Sequence, residues 1–131
     1  RKVKISSTVT RIESCGFHGC CSLISLDLPL GLQFIGHSSF RYCSALTTVA
    51  IPATVTEIGT VTFSGCTGLI SVEIPEGLQR IGNSAFSSCQ SLVNVSVVST
   101  IPQIGSKLFQ NCIKLLQVVP EETVEFEPPL G

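Results

Sequence analysis

Apolar residues recur along this chain in short runs that alternate with polar positions. In the clearest runs a Leu is followed three residues later by a Val and two residues after that by an Ile, as in Leu69, Val72 and Ile74. Short β-branched runs that alternate at their end are typical of strands with one buried face. Pro75 follows at once and ends the run, because proline cannot donate a ladder hydrogen bond. The pattern predicts one strand per run.

A second, shorter apolar pair follows each strand. Leu78 and Ile81, for example, enclose two polar residues, which predicts a short extended segment on the opposite side of the coil. Gly82 comes next and predicts a corner with positive φ or a close approach of two backbones. The stretch 84–89 has apolar residues three apart and no Pro, and therefore predicts a single helical turn, α or 3₁₀.

These segments repeat every 23 residues without an insertion, and Phe-x-x-Cys marks each copy. The motif occurs at Phe17–Cys20, Phe40–Cys43, Phe63–Cys66, Phe86–Cys89 and Phe109–Cys112. A fixed period of this length indicates stacked units that are buried by their neighbours. The pattern predicts a right-handed solenoid with parallel strands. Residues 1–119 then form a repeat domain of five 23-residue units, and residues 120–131 form a C-terminal cap or linker.

One complete copy carries a recognisable combination of residues. It runs Cys66-x-x-Leu69-x-x-Val72-x-Ile74-Pro75-x-x-Leu78-x-x-Ile81-Gly82-x-x-Ala85-Phe86-x-x-Cys89. This combination resembles the BspA-like, or Treponema-type, leucine-rich repeat over residues 6–119. The resemblance implies a leucine-rich-repeat solenoid with its parallel β-sheet on the concave face. It also implies a setting among surface or secreted proteins that bind host or matrix proteins or each other. Glu13, Val98 and Pro120 depart from the pattern, in the two end units.

The composition argues against nucleic-acid binding and against membrane insertion. The 131 residues carry a formal net charge of −1, which gives no overall case for nucleic acid as a partner. No apolar run approaches the ~20 residues needed to cross a bilayer, so we expect no direct membrane insertion. A cell-surface or secreted location follows from the resemblance alone, and a cytoplasmic location stays open.

The seven Cys predict packing more than chemistry. Five of them share one column of the repeat, where stacked coils hold equivalent atoms ~4.8 Å apart, slightly farther than the ~3.8 Å between the Cβ atoms of a disulfide. We therefore expect a ladder of buried thiols. Cys15, His18 and Cys21 superficially look like a metal cluster, but a zinc site usually brings two ligand pairs and no second pair follows. We expect no metal and no other cofactor, while a Cys15–Cys21 disulfide stays open.

The sequence offers few residues from which a catalytic site could be built. The stretch 31–38 nearly matches a phosphate-binding loop but lacks its Lys, and the repeat itself explains its glycines. Two His and one Asp do not assemble a nucleophile with a base and an orienting group. We predict no catalytic residue and no enzyme.

Recognition is instead expected on the strands. Residues on either side of the buried Val column form a small, polar, mildly acidic face. They are Ser25, Asp27, Thr48, Ser71, Glu73, Asn94 and Ser96. Phe34 lies in an otherwise polar column and predicts an exposed aromatic anchor beside the unit of Tyr42, although a single exposed aromatic is common. Asn94 also begins an Asn-Val-Ser glycosylation sequon, in mid-strand.

These features favour a non-enzymatic protein-binding or adhesion module, with a host, matrix or identical protein as the partner. The alternative is a structural spacer within a larger surface or secreted protein. A spacer should have uniform exposed columns, whereas a binder should show outlying residues, and the second unit holds Phe34, His37 and Tyr42. Open solenoid ends expose strand edges that proteins usually cover. We therefore expect a longer array or end-to-end association.

Overall fold

The chain winds into stacked coils whose strands are two to four residues long. The computed structural model describes residues 2–97, 101–115 and 117–119, so the predicted cap or linker at 120–131 lies outside the described residues. Strands of the first kind are β1 (Lys2–Lys4), β3 (Ser25–Asp27), β5 (Thr48–Ala50), β7 (Ser71–Ile74), β9 (Asn94–Val97) and β11 (Gln117–Val119). Strands of the second kind are β2 (Arg11–Ile12), β4 (Phe34–Ile35), β6 (Glu57–Ile58), β8 (Arg80–Ile81) and β10 (Gln103–Ile104).

The two kinds of strand build two parallel sheets on different sides of the coil. We call β1, β3, β5, β7, β9 and β11 the front sheet, and β2, β4, β6, β8 and β10 the back sheet. The back sheet is continuous in the order β10-β8-β6-β4-β2, whereas the front sheet is hydrogen-bonded in two blocks, β1-β3 and β5-β7-β9-β11. Every pair is parallel and shifted by one unit, as with Val49 opposite Val72 and Val72 opposite Val95. The predicted leucine-rich-repeat solenoid is confirmed.

The N-terminus holds a strand that the unit division does not include. β1 pairs in parallel with β3, with Val3 opposite Leu26. Lys2–Lys4 therefore occupies the strand position of a coil that precedes unit one. Its three residues contain a single apolar position, which is too short a pattern to predict a strand from the sequence.

The predicted helical turn is wrong. The segments 14–23, 37–46, 60–69, 83–92 and 106–115, which we call the turn layer, contain consecutive reverse turns, and no helix occurs in the described part of the chain. Some amides bond three residues back, such as Cys43 N–H to the Phe40 oxygen at 3.2 Å, while others bond the next coil, such as Phe40 N–H to the Thr62 oxygen at 2.9 Å. Both reverse turns and a helical turn satisfy an apolar spacing of three, so that spacing alone does not separate them.

Two positions in each turn segment prevent a continuous helix, because their backbone is left-handed. The first column is Cys15, Ser38, Val61, Ser84 and Lys107, and the second is Gly19, Tyr42, Gly65, Ser88 and Asn111. Their φ values lie between 48° and 75°. A left-handed residue reverses the direction of its N–H relative to a helix, and these amides are then available to neighbouring coils.

Phenylalanine rings form the centre of the core. Adjacent rings stack nearly parallel, with centroids 5.2 Å apart for Phe17–Phe40, 5.3 Å for Phe40–Phe63 and Phe63–Phe86, and 5.9 Å for Phe86–Phe109. The Leu, Val and Ile columns of both sheets are buried around this stack. Each coil thus buries its apolar residues against the coils on either side.

The corner glycines are explained by close approach, not by positive φ. A Cβ on Gly59 would stand 2.7 Å from the His37 backbone nitrogen, and a Cβ on Gly105 would stand 2.4 Å from that of Asn83. The backbone of the preceding coil therefore leaves no room for a side chain. Glu13 takes this place in unit one, where the described structure has no earlier corner on the back sheet.

Candidate protein-binding surface

Alternation in the front strands decides which side chains face outward. Val49, Val72 and Val95 are buried, since each is at most 3% exposed. The residues before and after each Val therefore point away from the core. Parallel pairing with a shift of one unit aligns these residues into two outward columns, with Thr48 opposite Ser71 and Ser71 opposite Asn94.

We call these outward columns the front face, and they contain the predicted strand residues. Asp27, Thr48, Glu73, Asn94 and Ser96 are exposed. Ser25 and Ser71 are half-buried. The structure therefore brings all seven strand candidates together on one surface.

The front face offers hydrogen-bonding groups beside apolar ones. Its hydroxyl and amide groups donate and accept, and the carboxylates of Asp27 and Glu73 accept. Ile24 and Ile70 precede their strands and are 54% and 47% exposed. Polar groups beside exposed aliphatic side chains on a rigid backbone are suited to holding another protein, and they include no nucleophile paired with a base.

Phe34 lies elsewhere, in β4 of the back sheet. It is half-buried, and the Arg11 guanidinium carbon lies 4.4 Å from the centre of its ring. Phe34 is therefore less exposed than predicted, because a cation from the preceding coil covers one face of the ring, and its role as an anchor stays a prediction. Arg11 shares the column of Phe34, so this contact could have been predicted from the repeat.

The rest of that column forms a row of polar contacts along the back sheet. Arg80 Nε donates a hydrogen bond to Gln103 Oε1 at 2.7 Å, and an Arg80 Nη1 atom lies 3.8 Å from a Glu57 carboxylate oxygen. These groups are at least one-third exposed, so the ion pair contributes little stability. Their effect is to link neighbouring coils on the surface.

Tyr42 lies in the turn layer and takes part in neither sheet. It is 47% exposed and has a φ of 65°. Its ring meets His18 edge-on with centroids 5.6 Å apart, and the Arg41 guanidinium carbon lies 4.8 Å from its centre. Tyr42 and Phe34 therefore do not join the front face, and the structure separates the nine candidates into three places.

His37 has a local role at the corner of its coil. Its Nδ1 atom accepts a hydrogen bond from the backbone N–H of Thr60 at 2.8 Å. Two units later the Oδ1 atom of Asn83 accepts one from the backbone N–H of Ser106 at 2.9 Å. His37 therefore satisfies a backbone amide of the next coil, as Asn83 does.

The cysteine column packs as a ladder of thiols. Cys43, Cys66, Cys89 and Cys112 are buried, and each donates its S–H to the oxygen of a Phe 26 residues earlier at 3.1–3.2 Å. Burial raises the pKa of the Cys43 thiol from 9.0 to about 11 and that of Cys66 to about 12. A hydrogen bond with Cys112, together with burial, raises the pKa of Cys89 well above its ordinary value. The thiols of Cys43, Cys66 and Cys89 are therefore poor nucleophiles, whereas the hydrogen bond with Cys89 lowers the pKa of Cys112.

The remaining cysteines are free and lie toward the surface. Cys15 and Cys21 are exposed and Cys20 is half-buried. Within the described residues, no group of three or more His, Cys, Asp or Glu side chains could hold a metal ion. None of the described backbone forms a helix that could span a bilayer.

Comparison with known repeats now identifies the family. The model of the BspA type leucine-rich repeat region matches residues 1–116 in six copies. The chain belongs to this family. The matched range includes β1, which precedes the five units. Repeats of the family are generally protein-interaction and surface repeats, and leucine-rich-repeat proteins are generally non-enzymatic scaffolds.

Solved structures show the same fold. A leucine-rich repeat protein of T. pallidum is 34% identical with a TM-score of 0.86, over 89% of this chain and 57% of that one. A leucine-rich cell surface protein of Faecalibacterium prausnitzii is 26% identical with a TM-score of 0.60, over 94% of this chain and 42% of that one. The chain thus spans a little over half the length of the T. pallidum protein. No curated protein matches it.

Proposed function

We propose that this chain is a non-enzymatic module that binds another protein through its front face, as part of a surface or secreted protein. The observation that carries the proposal is the alignment of outward side chains. Four neighbouring strands of the front sheet, β3, β5, β7 and β9, present polar residues beside exposed Ile24 and Ile70. A rigid surface of this kind binds with little loss of conformational entropy.

The location is part of the same proposal. The relative from Faecalibacterium prausnitzii is described as a cell surface protein, and this supports a surface or secreted setting for the present chain. The partners of the right class are a host protein, a matrix protein or a second copy of the chain. End-to-end association would use β2 and β10, the terminal strands of the back sheet as described.

The test is a pair of charge-matched double variants. Thr48→Arg with Asn94→Arg places two cations on the front face, two coils apart. Gln33→Arg with Gln79→Arg places the same charges at exposed positions beside the back sheet, also two coils apart. Binding to immobilised extracellular-matrix proteins and to the chain itself is measured by biolayer interferometry.

The expected result is loss of binding by about tenfold or more in the first variant, because bulky cations at the centre of an interface disrupt packing. The second variant should bind like the wild type. Equal loss in both variants would contradict a front-face site. Absence of binding to every protein of the panel would favour the structural spacer.

A further inference from the structure

The turn layer contains two residues that the repeat does not explain, and they stand side by side. Arg41 shares its column with His18, Gln110 and two serines, Ser64 and Ser87, and these serines are buried and hydrogen-bonded to each other at 2.8 Å. Tyr42 shares its column with glycines and other small residues. No other residue of the first column is Arg or Lys, and no other residue of the second column has a ring.

Arg41 and Tyr42 each lower the stability of the folded chain. The Nε atom of Arg41 is buried and has no hydrogen-bond partner among the described residues, and an unsatisfied buried donor is destabilising. Tyr42 holds a left-handed backbone that a bulky side chain rarely adopts. Two adjacent departures that oppose folding point to a role in function, since strained residues concentrate at functional sites.

The surroundings hold this pair rigidly. A Cβ on Gly65 would stand 2.5 Å from the Cδ1 atom of Tyr42, so the tyrosine ring packs directly against this glycine. The ring also meets His18 edge-on. Tyr42 N–H donates to the Ser64 oxygen at 2.9 Å, while the Arg41 oxygen accepts from Gly19 N–H at 2.8 Å. The coils on both sides therefore fix the backbone, and the guanidinium is presented on an aromatic ring.

The charged residues of the turn layer indicate a negatively charged ligand. The five turn segments contain Arg41, Lys107 and Lys114 but no Asp or Glu. The ion pairs found between described residues join Arg11 to Glu13 and Arg80 to Glu57, and neither involves Arg41. Arg41 is half-buried and Tyr42 is 47% exposed, so a partner can reach them from solvent.

We propose that His18, Arg41 and Tyr42 form a second recognition site, which binds a carboxylate side chain of an acidic protein segment. A guanidinium held on a tyrosine ring retains planar donors that match a carboxylate. Phosphate-bearing motifs are usually bound by clusters of arginines, whereas this turn layer holds one. The site lies away from the front face, so its failure would leave the proposed function in place.

The experiment uses substitutions that restore the repeat. Arg41→Ser introduces the residue of Ser64, and Tyr42→Asn introduces the residue of Asn111. Arg80→Ser is the matched control, because it removes the same charge from the back sheet. Affinity for a fluorescein-labelled oligoglutamate peptide is measured by anisotropy, with oligoglutamine and phosphoserine peptides of equal length for comparison. The thermal unfolding midpoint is measured for every variant.

We expect Arg41→Ser to weaken oligoglutamate binding by about tenfold or more and Tyr42→Asn by several-fold, with unfolding midpoints equal to or above that of the wild type. Arg80→Ser should change affinity by less than about twofold. Equal losses in Arg41→Ser and Arg80→Ser would overturn the site, as would failure of the wild type to prefer oligoglutamate to oligoglutamine. A lowered midpoint in Arg41→Ser would show a structural role instead. Tighter binding of the phosphoserine peptide would overturn the carboxylate assignment.

Discussion

Val61 shows how a single residue can conflict with the coil that contains it. Its φ is 48°, in a column otherwise occupied by Cys15, Ser38, Ser84 and Lys107. A β-branched side chain is crowded by its own backbone in this conformation. The backbone remains there because Val61 N–H donates to the Asn83 oxygen of the next coil at 3.0 Å. The ladder between coils thus outweighs the preference of one residue.

Replacing Val61 by Asn should therefore stabilise the protein. Asn tolerates the left-handed conformation, so we expect a gain of about 0.5–1 kcal/mol in the free energy of unfolding. Urea denaturation measures it. Val93→Asn is the control, because Val93 is also half-buried but precedes a strand. That control should lose stability, and a gain in both variants would refute the backbone explanation.

At the scale of the element, the Phe stack is the feature that joins the coils. Phe63 is fully buried between Phe40 and Phe86, with both ring centroids 5.3 Å away. Phe63→Ala leaves a cavity that neighbours on both sides cannot fill. We expect a loss of about 3–5 kcal/mol in unfolding free energy, measured by urea denaturation. Phe34→Ala, at a half-buried site, should cost about 1 kcal/mol; similar losses at both sites would count against the stack.

The thiol ladder makes stability depend on pH. The folded chain raises the pKa of Cys66 from 9.0 to about 12, so the unfolded chain releases this proton first. The contribution is complete below pH 9.0 and is lost as pH rises toward 12. We expect the urea midpoint of the reduced protein to fall over this window.

Cysteine variants test the origin of that loss. Cys66→Ala should show a smaller alkaline decrease in the urea midpoint than Cys21→Ala, whose thiol is exposed in the wild type. In the native protein at pH 8, a thiol reagent should modify Cys15 and Cys21 while Cys43 and Cys66 stay protected. Rapid reaction of the ladder cysteines would disagree with their burial.

The strand columns could be predicted from the sequence because burial imposes its own alternation on each strand. Val72 between Ser71 and Glu73 is sufficient to assign inside and outside. The turn layer could not be predicted in this way, since helix and reverse turns share the same apolar spacing. The site at Arg41 could not be predicted either, because its column varies between units and the sequence does not show that the guanidinium packs on the Tyr42 ring.

For the whole molecule, the repeat divides the charges between surfaces. Asp27 and Glu73 lie on the front face, where β1 also places Lys2 and Lys4 in register with Ser25 and Asp27, whereas the turn layer has cations and no carboxylates. A net charge of −1 conceals this difference. Two different partners could therefore be held by the same chain on different sides of one rigid scaffold.

The corner glycines determine which residue would have to change if a further coil were added. A unit duplicated onto the C-terminal side of a described coil brings its own glycine to the tight corner, and the coil before it needs no change. A coil placed before unit one would meet the side chain of Glu13 at that corner, so this residue would have to change as well. A back-sheet coil stacked before unit one would thus require a smaller residue at position 13, whereas the corners of units two to five already have glycine.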